Sequence, residues 1–132
     1  AVGASRHANV RGCGMIDWDR VENLRQEIGP TDFAEVVALF LEETDEVAAR
    51  MTAGPGLRAD LHFLKGSALN LGFRALAQRC GHGEDALRDA EGSVDPAPIV
   101  ALYHATRTAF LQTLEQDQIR NSANSSSLVM SR

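Results

Sequence analysis

Cysteine is scarce in this chain: two in 132 residues, Cys13 and Cys80. They are too few and too differently placed to form a disulfide framework. Cys80 falls on an apolar stripe and Cys13 in a glycine-flanked stretch, so both are expected to be free thiols. Basic charge is also short, with 13 Lys and Arg against 18 Asp and Glu, a net charge of −5. Arg6 and Arg11 precede Met15 with no acid beside them, so the remainder is more acidic still. This excludes nucleic acid as the main partner, because a phosphate backbone demands a clustered basic surface. No apolar run is long enough to span a bilayer, and the first residues show no signal-peptide core. The expected location is cytoplasmic. No window alternates as a strand does, and no glycine-rich loop is built to cradle phosphate.

What remains is helical. Residues 1–14 lack apolar period and are expected to be a disordered or vector-derived tail, with Met15 as the native start. His7 and Cys13 within it have no partners at metal-ligand spacing. Asp17 caps a short helix over about Trp18–Ile28, stopped by Gly29-Pro30. Thr31 or Asp32 is expected to cap the next, whose Phe33, Val36, Val37, Phe40, Leu41, Val47 and Met51 recur at helical spacing. Gly54-Pro55-Gly56 forces a turn. A third helix carries Leu57, Leu61, Leu64, Ala68 and Leu71 on one stripe, with Gly72 placed for a C-terminal cap. A fourth runs from about Arg74 to Ala90 through Leu76, Cys80, Gly83 and Leu87, weakened by Gly81 and Gly83 at about 1 kcal/mol each. Asp95-Pro96 starts the last helix, which presents Ile99, Leu102, Tyr103, Thr106, Phe110 and Leu114 and frays by Arg120. Residues 120–132 read as a flexible Ser-rich tail. The expected fold is all-α: an antiparallel four-helix bundle over 15–119, with a short additional N-terminal helix laid across it.

The chemistry concentrates in the third helix, at Leu61-His62-Phe63-Leu64-Lys65-Gly66-Ser67-Ala68-Leu69-Asn70-Leu71-Gly72. His62, Lys65 and Gly66 stand at i, i+3 and i+4, which makes them surface neighbours. At 100° per residue His62 points away from the apolar stripe, and Arg58, Ala59, Lys65, Gly66 and Leu69 share its side. An exposed, neutral imidazole is a nucleophile. The Lys65 ammonium is a point charge able to neutralise phosphoryl oxygens. Glycine inside a helix costs roughly 0.5–1 kcal/mol against alanine, so Gly66 is expected to serve clearance for a visiting molecule. Ser67 is a hydrogen-bond donor near the site, although its angle leans inward. By contrast His82, between two glycines, and His104, beside the last helix's stripe, join no constellation and read as incidental.

His62-Phe63-Leu64-Lys65-Gly66-Ser67-Ala68 followed by Asn70-Leu71-Gly72 resembles the signature of histidine-containing phosphotransfer (HPt) domains. Leu76, Cys80 and Glu84 continue the match downstream, and the helical pattern is compatible over about residues 15–119. Gly83 departs from the pattern, since the family usually has a bulky apolar residue there. The resemblance implies a bundle without autokinase or ATPase activity. It would accept a phosphoryl group on Nε2 of His62 from a receiver-domain aspartyl phosphate and pass it to another receiver. Lys65 would steady the phosphoryl group and Gly66 would admit the receiver. From helical angle rather than from the resemblance, Leu69, Ala59 and Gly66 are expected to form an apolar ring around His62 that docks on the receiver, with Arg58, Ser67 and Asn70 also at the docking surface. No cofactor of its own is implied; Mg²⁺ would come from the receiver's acidic pocket. Response-regulator receiver domains and a hybrid sensor histidine kinase are the implied partners, and the protein is expected to be a monomer.

The rival reading is a helical-bundle adaptor that binds receiver or kinase domains without being phosphorylated. Binding alone, however, needs neither His62 nor Lys65 nor Gly66. A histidine-kinase dimerisation domain requires a following ATP-binding domain, which is not expected here. No nucleophile, base and orienting residue assemble into a hydrolase, and no Glu stands three residues before His62, His82 or His104 as a di-iron bundle would require.

Overall fold

A computed structural model describes residues 14–89 and 92–130, with side chains given as far as Gln116. Among these residues five helices occur: α1 (Trp18–Ile28), α2 (Pro30–Arg50), α3 (Leu57–Leu71), α4 (Arg74–Ala86) and α5 (Ala97–Met130). Among the described residues all regular structure is helical. Contacts run from α2 to α3, α3 to α4, α4 to α5 and α5 back to α2, closing the expected four-helix bundle. α1 packs against α2 and α3. All of the expected N-terminal tail but Gly14, with His7 and Cys13, lies outside the described residues, as does Ala90.

The expected stripes form the core. Leu57, Leu61, Leu64, Ala68 and Leu71 of α3 are buried, as are Leu76 and Cys80 of α4 and Ile99, Tyr103, Thr106 and Phe110 of α5. Phe33, Val37, Leu41, Val47 and Met51 supply the face of α2 and its end. Tyr103 and Arg107 of α5 reach across to Asp45 of α2: the tyrosine hydroxyl donates to Oδ1 at 2.5 Å, and Arg107 donates to both carboxylate oxygens at 3.1 and 3.2 Å. This bidentate, charge-assisted contact fixes the register between the two helices.

The α3–α4 turn anchors the N-terminal segment. Gly72 adopts φ +81 and accepts a 2.6 Å hydrogen bond on its carbonyl from the Asp17 amide. The Ala75 amide donates to the Met15 carbonyl, and Arg74 donates to that of Gly14. Asp17 also caps α1 by accepting from the Arg20 amide. Above this turn Phe110 meets Phe73 edge-on at 5.1 Å and stacks on Trp18 at 5.8 Å.

Four sequence expectations need correction. Gly29, at φ +84, ends α1 and serves as the N-cap of α2, with Pro30 in its first turn. Thr31 and Asp32 therefore lie inside that turn and do not cap it; Asp32 instead complements the helix dipole. α4 stops at Ala86, where amides of Leu87 and Arg88 fold back onto Gly83 and Asp85. Gly83 is not a soft spot. It is buried, and a Cβ there would stand 2.8 Å from Leu61 Cδ1, so glycine lets α4 lie close on α3. Finally, α5 continues through Met130 in place of the fraying expected at Arg120. Extending an existing helix adds one hydrogen bond per residue without a new nucleation cost.

A Cβ at Gly72 would lie 2.6 Å from the Asp17 carbonyl oxygen, in a left-handed conformation that already disfavours side chains. Gly72→Ala is expected to cost at least about 2 kcal/mol of unfolding free energy in urea denaturation. An unchanged midpoint would contradict this account of the turn.

Candidate functional site

His62 is displayed because its helix is stitched to the core on the other side. Leu61 and Leu64 are wholly buried. One residue past Leu61, the helix turns the imidazole outward, where its side chain is 74% exposed. Lys65, one turn on, is half-buried, its stem passing Gly81 of α4, where a Cβ would stand 3.7 Å from Lys65 Cδ.

The centre of the site is a residue to which the sequence reading gave no role. Glu84 lies on the core stripe of α4, at i+8 from Leu76 and i+4 from Cys80, and its side chain is only 11% exposed. One carboxylate oxygen, Oε2, stands 3.1 Å from His62 Nδ1, and the other, Oε1, stands 3.0 Å from Lys65 Nζ. Burial pushes the Glu84 carboxyl up, but the hydrogen bonds and charges of Lys65 and His62 outweigh it and hold it below its usual value. A carboxylate facing Nδ1 accepts a proton from it, which leaves Nε2, across the ring, with the lone pair. The signal for Glu84 was present in the sequence. A charged residue on an apolar stripe is the informative exception to burial rules.

Gly66 stands beside His62 with open space around it. A Cβ there would meet nothing within 4 Å, so no internal contact requires glycine. The site carries two exposed large apolar side chains, Leu69 at 58% and Phe63 at 39%. Leu69 follows the sequence expectation. Phe63 was not singled out, although its place three residues before Gly66 puts it on the same flank. Arg58, Ala59 and Asn70 are exposed, and the Asn70 carbonyl accepts from Arg20 Nε at 3.2 Å. Ser67 is a correction. It is 6% exposed because its helical angle turns it toward the core beside Leu64 and Ala68, so it cannot line a docking surface.

The other candidates stay apart from this cluster. His82 and His104 are exposed, and His104 rests against the Tyr103 ring at 5.2 Å. Cys80 is a buried free thiol, pushed up to about 12 by burial and then by the Glu84 charge, which makes it inert as a nucleophile. Among the described residues no group of three or more His, Cys, Asp or Glu is placed to hold a metal ion. No described helix is long and apolar enough to cross a membrane.

Comparison with known families gives one match: the family model of the Hpt domain aligns with residues 35–121, more than half of the chain. No curated protein and no solved structure matches. The aligned span contains His62, Lys65, Gly66 and Glu84.

The geometry sets a pH dependence. Because the folded protein holds the Glu84 carboxyl below 4.5, its charged form contributes stability above the unfolded-state value, and this is lost as pH falls through the folded one. Unfolding free energy should therefore decline as the pH is lowered through and below 4.5, and Glu84→Gln should remove part of that decline. Equal slopes in the two proteins would refute the pairing.

Proposed function

The chain belongs to the Hpt domain family, whose members take part in phosphorelay histidine phosphotransfer, and we propose that it accepts a phosphoryl group on His62 from one receiver domain and delivers it to another. The observation that carries this reading is the Glu84 carboxylate, held 3.1 Å from Nδ1 of an otherwise exposed imidazole. Proton held at Nδ1, the Nε2 lone pair attacks the phosphorus of an aspartyl phosphate. The bond from phosphorus to the aspartate oxygen breaks, and the carboxylate leaves with the electron pair. The ring gains positive charge as the nitrogen–phosphorus bond forms, and Glu84 offsets it through Nδ1. Reversal of the same step on a second receiver returns the ring to neutrality.

Lys65 would supply the cation. It rests on Glu84 Oε1 and, on a flexible stem, is one helical turn from the incoming phosphoryl oxygens. Such a loose transition state calls for positioning and charge neutralisation more than covalent help. The receiver brings the Mg²⁺ in its own acidic pocket. Leu69, Phe63 and Ala59 would form the apolar collar on which it docks, with Gly66 leaving its active site free to approach Nε2. Arg58 and Asn70 lie at the edge of that collar. A hybrid sensor kinase fits as the upstream source, with the bundle acting as a monomer in the cytoplasm.

Incubation with a phosphorylated receiver tests the reading. Acid-labile label is expected on the wild type and absent from His62→Gln. Label on neither protein, with binding retained, would assign the chain to the adaptor reading. Gly66→Ala separates folding from docking: stability should rise by about 0.5–1 kcal/mol, while transfer slows about tenfold, equivalent to ~1.4 kcal/mol in the barrier. A stabilised variant with wild-type transfer would remove the clearance role from Gly66.

A further inference from the structure

The opposite side of the bundle carries a second surface. Between α2 and the middle of α5 runs a groove of about 810 Å³, floored by Phe33, Val37, Leu41, Leu111 and Leu114. Arg25 closes it at the end of α1. None of its lining residues comes from α3 or α4, the two helices that hold His62 and Glu84. Along α2 it follows Pro30, Ala34, Val37, Ala38, Leu41 and Asp45, one continuous helical stripe roughly 20 Å long at 1.5 Å per residue. Ala34 and Ala38 form a low lip and are exposed.

The charges at its mouth are unequal. Asp45 is taken up by Tyr103 and Arg107, and Arg25 lies over the Phe33 ring at 5.3 Å with Glu22 at 3.7 Å. Glu42 and Glu115 remain at the rim, exposed, and among the described residues neither is ion-paired. Outside the groove itself, Glu35, Glu43 and Glu46 add to the exposed acidic charge of α2, as Leu39 does to its exposed apolar surface. An apolar trough four turns long with an acidic rim suits an amphipathic helix with Lys or Arg flanking its apolar face. A second copy of this chain is a poor occupant, since at net charge −5 it would bring acid against acid.

We propose that the α2–α5 groove is a docking site for a basic amphipathic helix of a partner protein, usable while a receiver occupies His62. Such a site would tether the chain to one partner without blocking phosphoryl transfer to another. Helix binding in the groove stands without the relay reading, and only its compatibility with phosphoryl transfer rests on it, so the peptide titration and the label transfer are read separately.

The probe is a fluorescent 16-residue helical peptide with leucines on one face and lysines on the other. Anisotropy and amide NMR shifts of the full chain report its binding. Wild type should bind it with shifts on α2 and α5, and the charge-reversed peptide, glutamate for lysine, should bind at least about tenfold more weakly. Ala38→Trp fills the trough without changing charge, and should weaken the lysine peptide about tenfold while folding and label transfer to His62 stay at wild-type level. Glu42→Gln should weaken it severalfold and lessen its salt dependence. Equal binding by Ala38→Trp would overturn the proposal, as would shifts confined to α3 and α4. Self-association of the wild type that Ala38→Trp abolishes would assign the groove to a second copy and overturn it too.

Discussion

One carboxylate shared between an imidazole and an ammonium organises the candidate site. Glu84 faces His62 Nδ1 with one oxygen and Lys65 Nζ with the other, so both groups proposed to meet the phosphoryl group are held from below by a single side chain. That side chain is itself nearly buried, and burying a charge is costly unless it is paired and hydrogen-bonded. The two partners are thus a condition for Glu84 to exist as an anion there. The arrangement also requires α3 and α4 to lie close. Gly83, directly before Glu84, permits this by offering no Cβ against Leu61.

The glycines divide by what surrounds them. Gly72 and Gly83 are demanded from inside the molecule, one by a left-handed turn against the Asp17 carbonyl and the other by the Leu61 side chain. Gly66 faces open space and has a backbone conformation that any residue adopts. A glycine with no internal reason, beside an exposed nucleophile, is best accounted for by something that arrives from outside. The same contrast separates the buried, inert Cys80 from the exposed His62: nucleophilic atoms matter only where another molecule can reach them.

Much of this was legible in the sequence. The apolar stripes of α2, α3 and α5 named the core because a helix repeats every 3.6 residues, and the same arithmetic turned His62, Leu69 and Gly66 outward. It also turned Ser67 inward, and the buried hydroxyl follows that angle and not the docking surface expected for it. What spacing within one helix could not reveal was the partner across the gap. Glu84 is 22 residues from His62 along the chain, and only the packing of α4 on α3 brings the two together. Capping choices were the least legible, because Gly29-Pro30 both ends α1 and starts α2, leaving Thr31 and Asp32 no free end to cap. The groove was invisible for a related reason: it exists only where α2 and α5 part, a property of two helices and not of either.

The bundle therefore presents two unlike faces, a polar reactive one on α3 and α4 and an apolar, acid-rimmed one on α2 and α5. The most direct measurement of the first is nuclear magnetic resonance of ¹⁵N-histidine-labelled protein after phosphorylation by a receiver. The account requires phosphorus coupled to Nε2 of His62, with the proton retained on Nδ1. Phosphorus on Nδ1, or a His62 ring unaltered in a protein that carries phosphate elsewhere, would contradict it.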